Sequence, residues 1–204
     1  TYTITAPLDL KRITGLRIDV LQDDRLPKGG PGRAGNGNLH LAEIDLQWFD
    51  KNAHTATPVK ISRASADFDQ DGWTSTHAID NDPKTAWAIY PEVNKSHHII
   101  FEFAKPIEAS SGGKLAITLK HLPPVHLIGR LKLSVTEVDG AEARAFPSDV
   151  SSGLTKAARQ RTQTETIALA AIALKDHAEH SLAKLPPKHI VYGISNSWSH
   201  AKKR

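Results

Sequence analysis

Short segments that alternate apolar and polar residues, separated by turn residues, fill the first 138 positions of this chain. Residues 13–21 and 38–48 repeat with a period of two, which is the period of a half-buried strand. Further strands are predicted at 98–103, 114–120 and 129–136, each bounded by proline or glycine. Several short strands without helices between them predict a mainly β domain, an antiparallel β-sandwich.

Two features interrupt this pattern. The alternation over residues 38–48 breaks at Ala42 and Glu43, which predicts a β-bulge that re-aims one side chain. Residues 26–38 are too rich in glycine and proline to form a regular element, so they form either a long ordered loop or a flexible one.

The character of the chain changes after Pro147. The T-Q-T-E sequence at 162–165 predicts a capping box that starts a helix running through Leu182 and ending before Pro186. A shorter helix is predicted over 148–159 and one more strand over 189–194. The expected organisation is a sandwich over 1–140, a helical segment over 141–187, and a strand with a polar tail over 188–204. We expect the natural protein to continue past Arg204 into a following domain.

Composition excludes several classes of function. The chain has no cysteine, which rules out disulfides and thiolate metal sites, and no apolar run long enough to cross a membrane. The net charge of +4 arises after residue 138, in a helical segment and a basic end, whereas a nucleic-acid binder usually carries a basic stripe on its folded body. The sequence contains no nucleophile elbow, phosphate loop, dinucleotide fingerprint or H-E-x-x-H motif. We therefore expect neither an enzyme, nor nucleic-acid binding, nor membrane insertion.

One segment carries a resemblance to a known family. The sequence A-I-D-N-D-P-K-T-A-W at 78–87 resembles the A-x-D-G-x-x-x-T-x-W signature of discoidin and related galactose-binding-like modules (factor 5/8 type C-like). The resemblance implies a jelly-roll β-sandwich with a structural Ca²⁺ site formed by Asp80, carbonyls near Asp82, and Thr85. Calcium favours such oxygen ligands. The alternative is that Asp80 and Thr85 only hydrogen-bond the turn.

A glutamate completes the calcium site in that superfamily, in a pattern like L-x-E-I-x-V. The sequence L-A-E-I-D-L at 41–46 has this pattern and assigns the role to Glu43, but it precedes the aspartate loop. This order implies a circularly permuted sandwich. Asn81 replaces the usual glycine of the signature, and asparagine tolerates positive φ better than most residues.

Taken together, segments across residues 10–140 resemble the discoidin-like module of large planctomycete proteins that also carry cytochrome-c-like and planctomycete-specific domains. The matching segments are 13–21, 26–27, 30–33, 36–38, 66–68, the Asp80 loop, 87–89 and 126–136. The resemblance implies an exported protein, periplasmic or extracellular, in which this module lies beside other domains.

Further candidate sites have ordinary alternatives. The sequence D-F-D-Q-D-G at 67–72 matches the opening of an EF-hand loop, but a solvated acidic turn is the simpler interpretation. His97 and His98 should point to opposite faces of a strand and so cannot chelate one metal together. His126 is as well explained by structural hydrogen bonding as by ligand contact.

A sugar site needs an aromatic platform and planar polar groups. Trp48, Trp73 and Tyr90 are candidates for stacking. The predicted ligand contacts are Arg33, Asn38, Tyr90, His97 and Arg130. A guanidinium in a Gly/Pro loop can hold a carboxylate or sulfate with two hydrogen bonds, although Arg33 and Asn38 could instead only tie down their own loop.

The function expected from the sequence is a non-catalytic, carbohydrate-binding module for polysaccharide, with a structural calcium ion. The alternative is a spacer that packs against neighbouring domains of a larger protein.

Overall fold

The computed structural model describes residues 1–51, 55–109, 112–122, 125–143 and 146–185. The chain divides into two compact units, residues 1–146 and 147–204. The strand predicted at 189–194 lies outside the described residues. The first unit contains the strands β1 (Tyr2–Leu8), β2 (Arg12–Val20), β3 (His40–Asp50), β4 (Thr57–Pro58), β5 (Ile61–Ala66), β6 (Trp87–Ala88), β7 (His97–Glu108), β8 (Gly113–His121) and β9 (Leu131–Thr136).

These strands form two sheets in which all pairings are antiparallel. One sheet has the order β1-β8-β3-β4, with β6 also paired to β3, and the other has the order β5-β7-β2-β9. The inward residues of both sheets contribute to a single hydrophobic core, whose largest fully buried side chains include Trp87, Phe101, Leu16 and Leu119. The prediction of a mainly β, antiparallel domain is confirmed.

The β-bulge predicted at Ala42 and Glu43 is present. The register of β3 against β8 shifts between Leu41, which faces His121, and Glu43, which faces Lys120. All four residues from Leu41 to Ile44 are buried, because the bulge suspends the alternation of faces.

The strand predicted at 98–103 is longer than expected. β7 continues past Pro106 to Glu108, whereas the sequence suggested that Pro106 bounded the strand. The register of β7 against β2 shifts between Ile13 and Gly15, and Pro106 falls in this irregular stretch. A proline is tolerated there because no ladder hydrogen bond needs its missing N–H.

The second unit is helical over its described part. It contains α1 (Ser148–Thr155), a short 3-10 turn (Ala158–Gln160) and α2 (Gln163–Ala183). The predicted capping box is present: the Thr162 hydroxyl accepts from the N–H of Glu165, whose carboxylate accepts from the N–H of Thr162. Among the helices described, none has the length and apolar character needed to cross a membrane.

Candidate functional site

The loop between a 3-10 turn (Ser75–Ile79) and β6 is closed by its own hydrogen bonds. Asp80 Oδ1 accepts from the N–H of Asp82 at 2.9 Å, and Asp80 Oδ2 accepts from the Thr85 hydroxyl at 2.8 Å. The Thr85 hydroxyl oxygen also lies 3.0 Å from the carbonyl oxygen of Asp82. Asn81 has a φ of 63°, a left-handed conformation that asparagine adopts more readily than most residues. The loop thus brings one carboxylate oxygen and one carbonyl oxygen within hydrogen-bonding distance of the Thr85 hydroxyl.

Glu43 approaches this loop from β3. Glu43 is only 8% exposed, and its Oε1 is buried without a hydrogen-bond partner among the described residues. Burial, and then the neighbouring carboxylate of Asp80, raise the pKa of Glu43. Desolvation also tends to raise the pKa of Asp80. The hydrogen bonds from Asp82 and Thr85 outweigh this effect, so the pKa of Asp80 is lowered overall. The structure therefore brings together Glu43 and Asp80, two residues that only the family pattern connects in the sequence.

A buried carboxylate oxygen without a donor is energetically unfavourable unless a cation or a proton compensates it. The oxygens of Glu43 and of the Asp80 loop are of the hard type that calcium prefers: two carboxylates, a hydroxyl and a carbonyl. Within the described ranges, no group of three or more His, Cys, Asp or Glu side chains could hold a metal. Any cation here would need neutral oxygens beside its two carboxylates, and the loop that contains Asp80 carries two of them, at Thr85 and Asp82. The residues present fit a calcium ion.

Trp87 fastens the loop to the core. It is completely buried, and its Nε1–H donates to the carbonyl oxygen of Phe68 at 3.0 Å. The strand that contains it, β6, pairs with the first two residues of β3, so that Leu41 faces Trp87 across the sheet. The loop is therefore anchored to β3, the strand that carries Glu43, at a point two residues before that glutamate.

The Gly/Pro-rich segment 26–38 folds back on itself rather than lying free. The N–H of Gly32 donates to Gly37, the N–H of Gly37 donates to Ala34, and the N–H of Arg33 donates to Leu127. A Cβ at Gly32 would lie 1.8 Å from the carbonyl oxygen of Asn38, so this close approach of the backbone requires glycine. Of the two alternatives, the structure shows the ordered loop.

The five predicted ligand contacts separate into two groups. Arg33, Tyr90 and Arg130 are exposed, and Tyr90 has 48% of its surface accessible. Asn38 and His97 are only 3% and 4% exposed. The first three can meet a ligand directly, whereas the other two lie within the protein.

The polar atoms of the two buried residues have protein partners. The Asn38 side-chain amide donates to Gln70 Oε1 at 3.0 Å, and its oxygen accepts from the N–H of Ile89 at 3.0 Å. His97 Nδ1 lies 3.2 Å from Asp67 Oδ2, and its Nε2 lies 2.6 Å from the carbonyl oxygen of Glu92. Both side chains hold loops together, and their direct contact with a ligand stays a prediction.

Two of the exposed residues, Tyr90 and Arg130, have different polar neighbours. The N–H of Tyr90 donates to Gln70, the residue that also binds Asn38. The guanidinium of Arg130 lies 3.8 Å from Asp23, which is itself bridged to Arg25 at 2.6 Å.

Two of the three carboxylates in the acidic turn at 67–72, those of Asp67 and Asp69, contact other groups of the protein. Asp67 contacts His97 and His98, with His98 Nδ1 3.7 Å from Asp67 Oδ2, and Asp69 accepts from the N–H of Ser75 at 2.8 Å. Both histidine rings therefore lie beside the same carboxylate oxygen, Asp67 Oδ2. This arrangement favours the acidic-turn interpretation over an EF-hand-like site.

Sequence reasoning missed one aromatic arrangement. The ring of His40 stacks between Trp73, with centroids 4.6 Å apart, and His126, with centroids 3.9 Å apart. Burial, and then the neighbouring His126, lower the pKa of His40 to about 4. Trp48, a suggested stacking residue, is only 6% exposed and belongs to the core. No sequence signal joins residues 40, 73 and 126, because they meet only when the start of β3 and two separate loops come together in the fold.

Comparisons of the chain with protein families, with curated proteins and with solved structures found no match.

Proposed function

We propose that this chain is a non-catalytic carbohydrate-binding module with a galactose-binding-like, discoidin-like β-sandwich, in a permuted order, and with a structural calcium site. The observation that carries the proposal is the buried, unpartnered Oε1 of Glu43 beside Asp80. The family resemblance assigns the same two residues to one calcium site. In this account the protein is exported and is part of a larger polysaccharide-processing or polysaccharide-sensing system.

The chain's own residues prepare the proposed calcium site. Trp87 fixes one end of the loop in the core, the β-bulge turns Glu43 towards it, and Asn81 makes the turn with a positive φ. A bound calcium ion would supply the positive charge that compensates the two carboxylates and would link β3 to the loop. Its role would be to brace the sandwich, since no nucleophile or general base is assigned beside it.

The exposed polar and aromatic side chains of the loops are compatible with glycan binding. Arg33, Tyr90 and Arg130 offer guanidinium groups and a phenol to solvent. Such groups recognise hydroxyls and carboxylates by hydrogen bonding and can stack on a sugar ring.

The test is a binding screen of the full chain against immobilised neutral, uronic and sulfated polysaccharides, carried out with calcium and with EDTA. We expect retention by at least one polysaccharide, and weaker retention in EDTA because the loops lose their brace. Failure of the wild-type chain to bind any polysaccharide under either condition would contradict the proposed function.

A second candidate function is a spacer that packs neighbouring domains of the full-length protein. One side of α2 faces α1 through Glu165 and Leu169, which lie close to Gly153. Another side carries exposed large apolar residues: Ile167, Leu174 and Leu182 are 61%, 69% and 65% exposed. A surface of this kind is typical of a docking face.

The spacer has its own test. We expect the wild-type chain to increase the fluorescence of a hydrophobic dye, and Leu174→Ser to reduce that increase. A matched change at an exposed polar position of the same helix, Glu179→Ser, should leave the signal unchanged. The spacer function requires this result together with the absence of polysaccharide binding.

A further inference from the structure

A closed ring of contacts joins the start of β3 to the turn at 70–73. Gln70 and Trp73 face each other across an antiparallel bridge, and the N–H of Trp73 donates to the carbonyl oxygen of Gln70 at 2.8 Å. The Asn38 side-chain amide donates to Gln70 Oε1 at 3.0 Å and lies 3.4 Å from His40 Nε2. The ring of His40 stacks on Trp73, which closes the circuit. These four residues therefore form one compact cluster on the β domain.

Two backbone N–H groups fix the orientation of the side-chain amides in this cluster. A backbone N–H can only donate, so the atom of Asn38 that the N–H of Ile89 contacts at 3.0 Å is the amide oxygen. The same argument identifies the atom of Gln70 that the N–H of Tyr90 contacts as Oε1. Asn38 therefore presents its amine to Gln70 Oε1, and Gln70 presents its own amine away from both of these donors.

The Gln70 amine has no hydrogen-bond partner among the described residues, and the same holds for the indole N–H of Trp73. In the described part of the chain, the side-chain polar atoms that are buried without a partner belong to Glu43 and His121. Gln70 and Trp73 are not among them, so both of these N–H groups reach solvent. The bridge between the two residues holds their donors in place before any ligand arrives, which lowers the entropy cost of binding.

The aromatic column beside Gln70 can accept a ligand ring only at its ends. His40 lies between Trp73 and His126, so both of its faces are already covered. Trp73 is half-buried and belongs to the same short turn as the free Gln70 amine. The face of an aromatic ring is negative and attracts groups with partial positive charge, such as the C–H groups of a sugar ring.

The site therefore offers neutral N–H donors beside an aromatic face. A pyranose ring has both complements, because it carries hydroxyl oxygens at its edge and C–H groups on its faces. A purely apolar ligand would desolvate the Gln70 amine without giving it a partner, which is unfavourable. A phosphate or sulfate group is instead typically bound by arginine or lysine, whereas the donors of Gln70 and Trp73 carry no charge.

We propose that a sugar residue of a polysaccharide binds at the turn 70–73, with its hydroxyl oxygens accepting from the Gln70 amine and its ring against Trp73. The inference rests on the proposed carbohydrate-binding function. It gives that function a contact residue, Gln70, that sequence reasoning did not identify.

The experiment measures binding of the full chain to soluble xylan, mixed-linkage β-glucan, galactomannan and polygalacturonate by titration calorimetry. Gln70→Glu keeps the oxygen that accepts from Asn38 and Tyr90 but replaces the free amine with a second oxygen, so it removes the donor. Gln70→Met removes the donor without adding a charge. Gln47→Glu, at an exposed position of β3, is the matched control for the added charge.

A second set of variants tests the aromatic face. Trp73→Ala removes the ring, and Phe49→Ala removes an exposed ring of β3 as its control. Adenosine is the comparison ligand, because its base can also stack on an indole and accept from an amide. Far-UV circular dichroism and the midpoint of thermal unfolding verify that each variant is folded. If Trp73→Ala does not fold, the Gln70 variants decide alone.

We expect at least one of the four polysaccharides to bind the wild-type chain and both control variants alike, and the Gln70 and Trp73 variants to bind it about tenfold more weakly or worse. Unchanged binding by the folded Gln70 or Trp73 variants would overturn this site and leave the carbohydrate-binding function standing. Binding of adenosine in place of the polysaccharides would overturn the sugar. Absence of wild-type binding to these four would overturn the inference, and absence of binding to every polysaccharide of the wider screen would overturn the function as well.

Discussion

Glu43 of β3 and Asp80 of the loop before β6 lie side by side, and one carboxylate oxygen of Glu43 is buried there without a hydrogen-bond partner among the described residues. Such a pair is unfavourable in isolation, because burial and the like charge both oppose ionisation of Glu43. The pair makes the loop a place where a cation would stabilise the folded chain.

The first prediction concerns the effect of the Glu43–Asp80 pair on stability when no cation is bound. In EDTA at neutral pH, Glu43→Gln should raise the free energy of unfolding by about 1 kcal/mol, because it removes a buried charge while keeping the side chain's shape. Chemical denaturation measures the change. Glu137→Gln, at an exposed position, should have no effect. Destabilisation by Glu43→Gln in EDTA would mean that the carboxylate already has a favourable partner.

The second prediction concerns Trp87. Trp87→Phe should destabilise the β domain by about 1–3 kcal/mol, because it leaves the Phe68 carbonyl oxygen without its donor and shrinks a fully buried side chain. Trp73→Phe, at a half-buried position, should cost less. Equal losses in the two variants, measured by urea unfolding, would contradict the anchoring role of Trp87.

The third prediction concerns the stability of the folded chain at acidic pH. Burial lowers the pKa of both His40 and His121 to about 4, helped by His126 at the first and the N-terminal amine at the second. Between about pH 6.5 and pH 4 the unfolded chain therefore binds more protons than the folded one, and stability falls as the pH decreases. The midpoint of thermal unfolding should drop by several degrees from pH 7 to pH 5.

A variant separates the contribution of His121 from other acid effects. Both ring nitrogens of His121 are buried without hydrogen-bond partners among the described residues. His121→Phe should reduce the loss of stability on acidification, because it removes one group that takes up a proton on unfolding. An identical pH profile in the variant would contradict the assignment.

The fourth prediction concerns the helical unit. Glu165 accepts hydrogen bonds from Lys156 and Ser152, both at 2.6 Å, and from the N–H of Thr162, and these lower its pKa to about 2. Glu165→Ala should decrease the helical signal at 222 nm and expose the segment 147–185 to protease, whereas Glu179→Ala should not. The contribution of Glu165 should be present above about pH 4.5 and be lost as the pH falls through its folded pKa. Retention of the full helical signal in Glu165→Ala would contradict this role.

Sequence patterns predicted the strands with strong apolar alternation and missed those without it. β2, β3, β8 and β9 were expected because isoleucine, leucine and valine recur at every second position. β1 was missed because threonine and proline weaken its pattern, although Tyr2, Ile4 and Leu8 do alternate. β5 has the sequence I-S-R-A-S-A and packs only a few small apolar side chains.

Some features of the candidate site could likewise be predicted from the sequence, and others could not. The bulge at Glu43, the positive φ of Asn81 and the burial of Trp87 could be expected, because each depends on local sequence or on the family signature. The interior positions of Asn38 and His97, and the stack of His40 with His126, could not. They depend on which loops meet, and that is set by strand order and not by local pattern.

The most direct test of the account is thermal unfolding of the chain in EDTA and then with increasing calcium. A cation that binds only the folded state should stabilise it by about 2.7 kcal/mol at a hundredfold excess over its dissociation constant. We predict a clear rise in the midpoint for the wild-type chain that is lost in both Asp80→Ala and Glu43→Gln. No rise in the wild-type chain, or an equal rise in the two variants, would contradict a calcium site at Glu43 and Asp80.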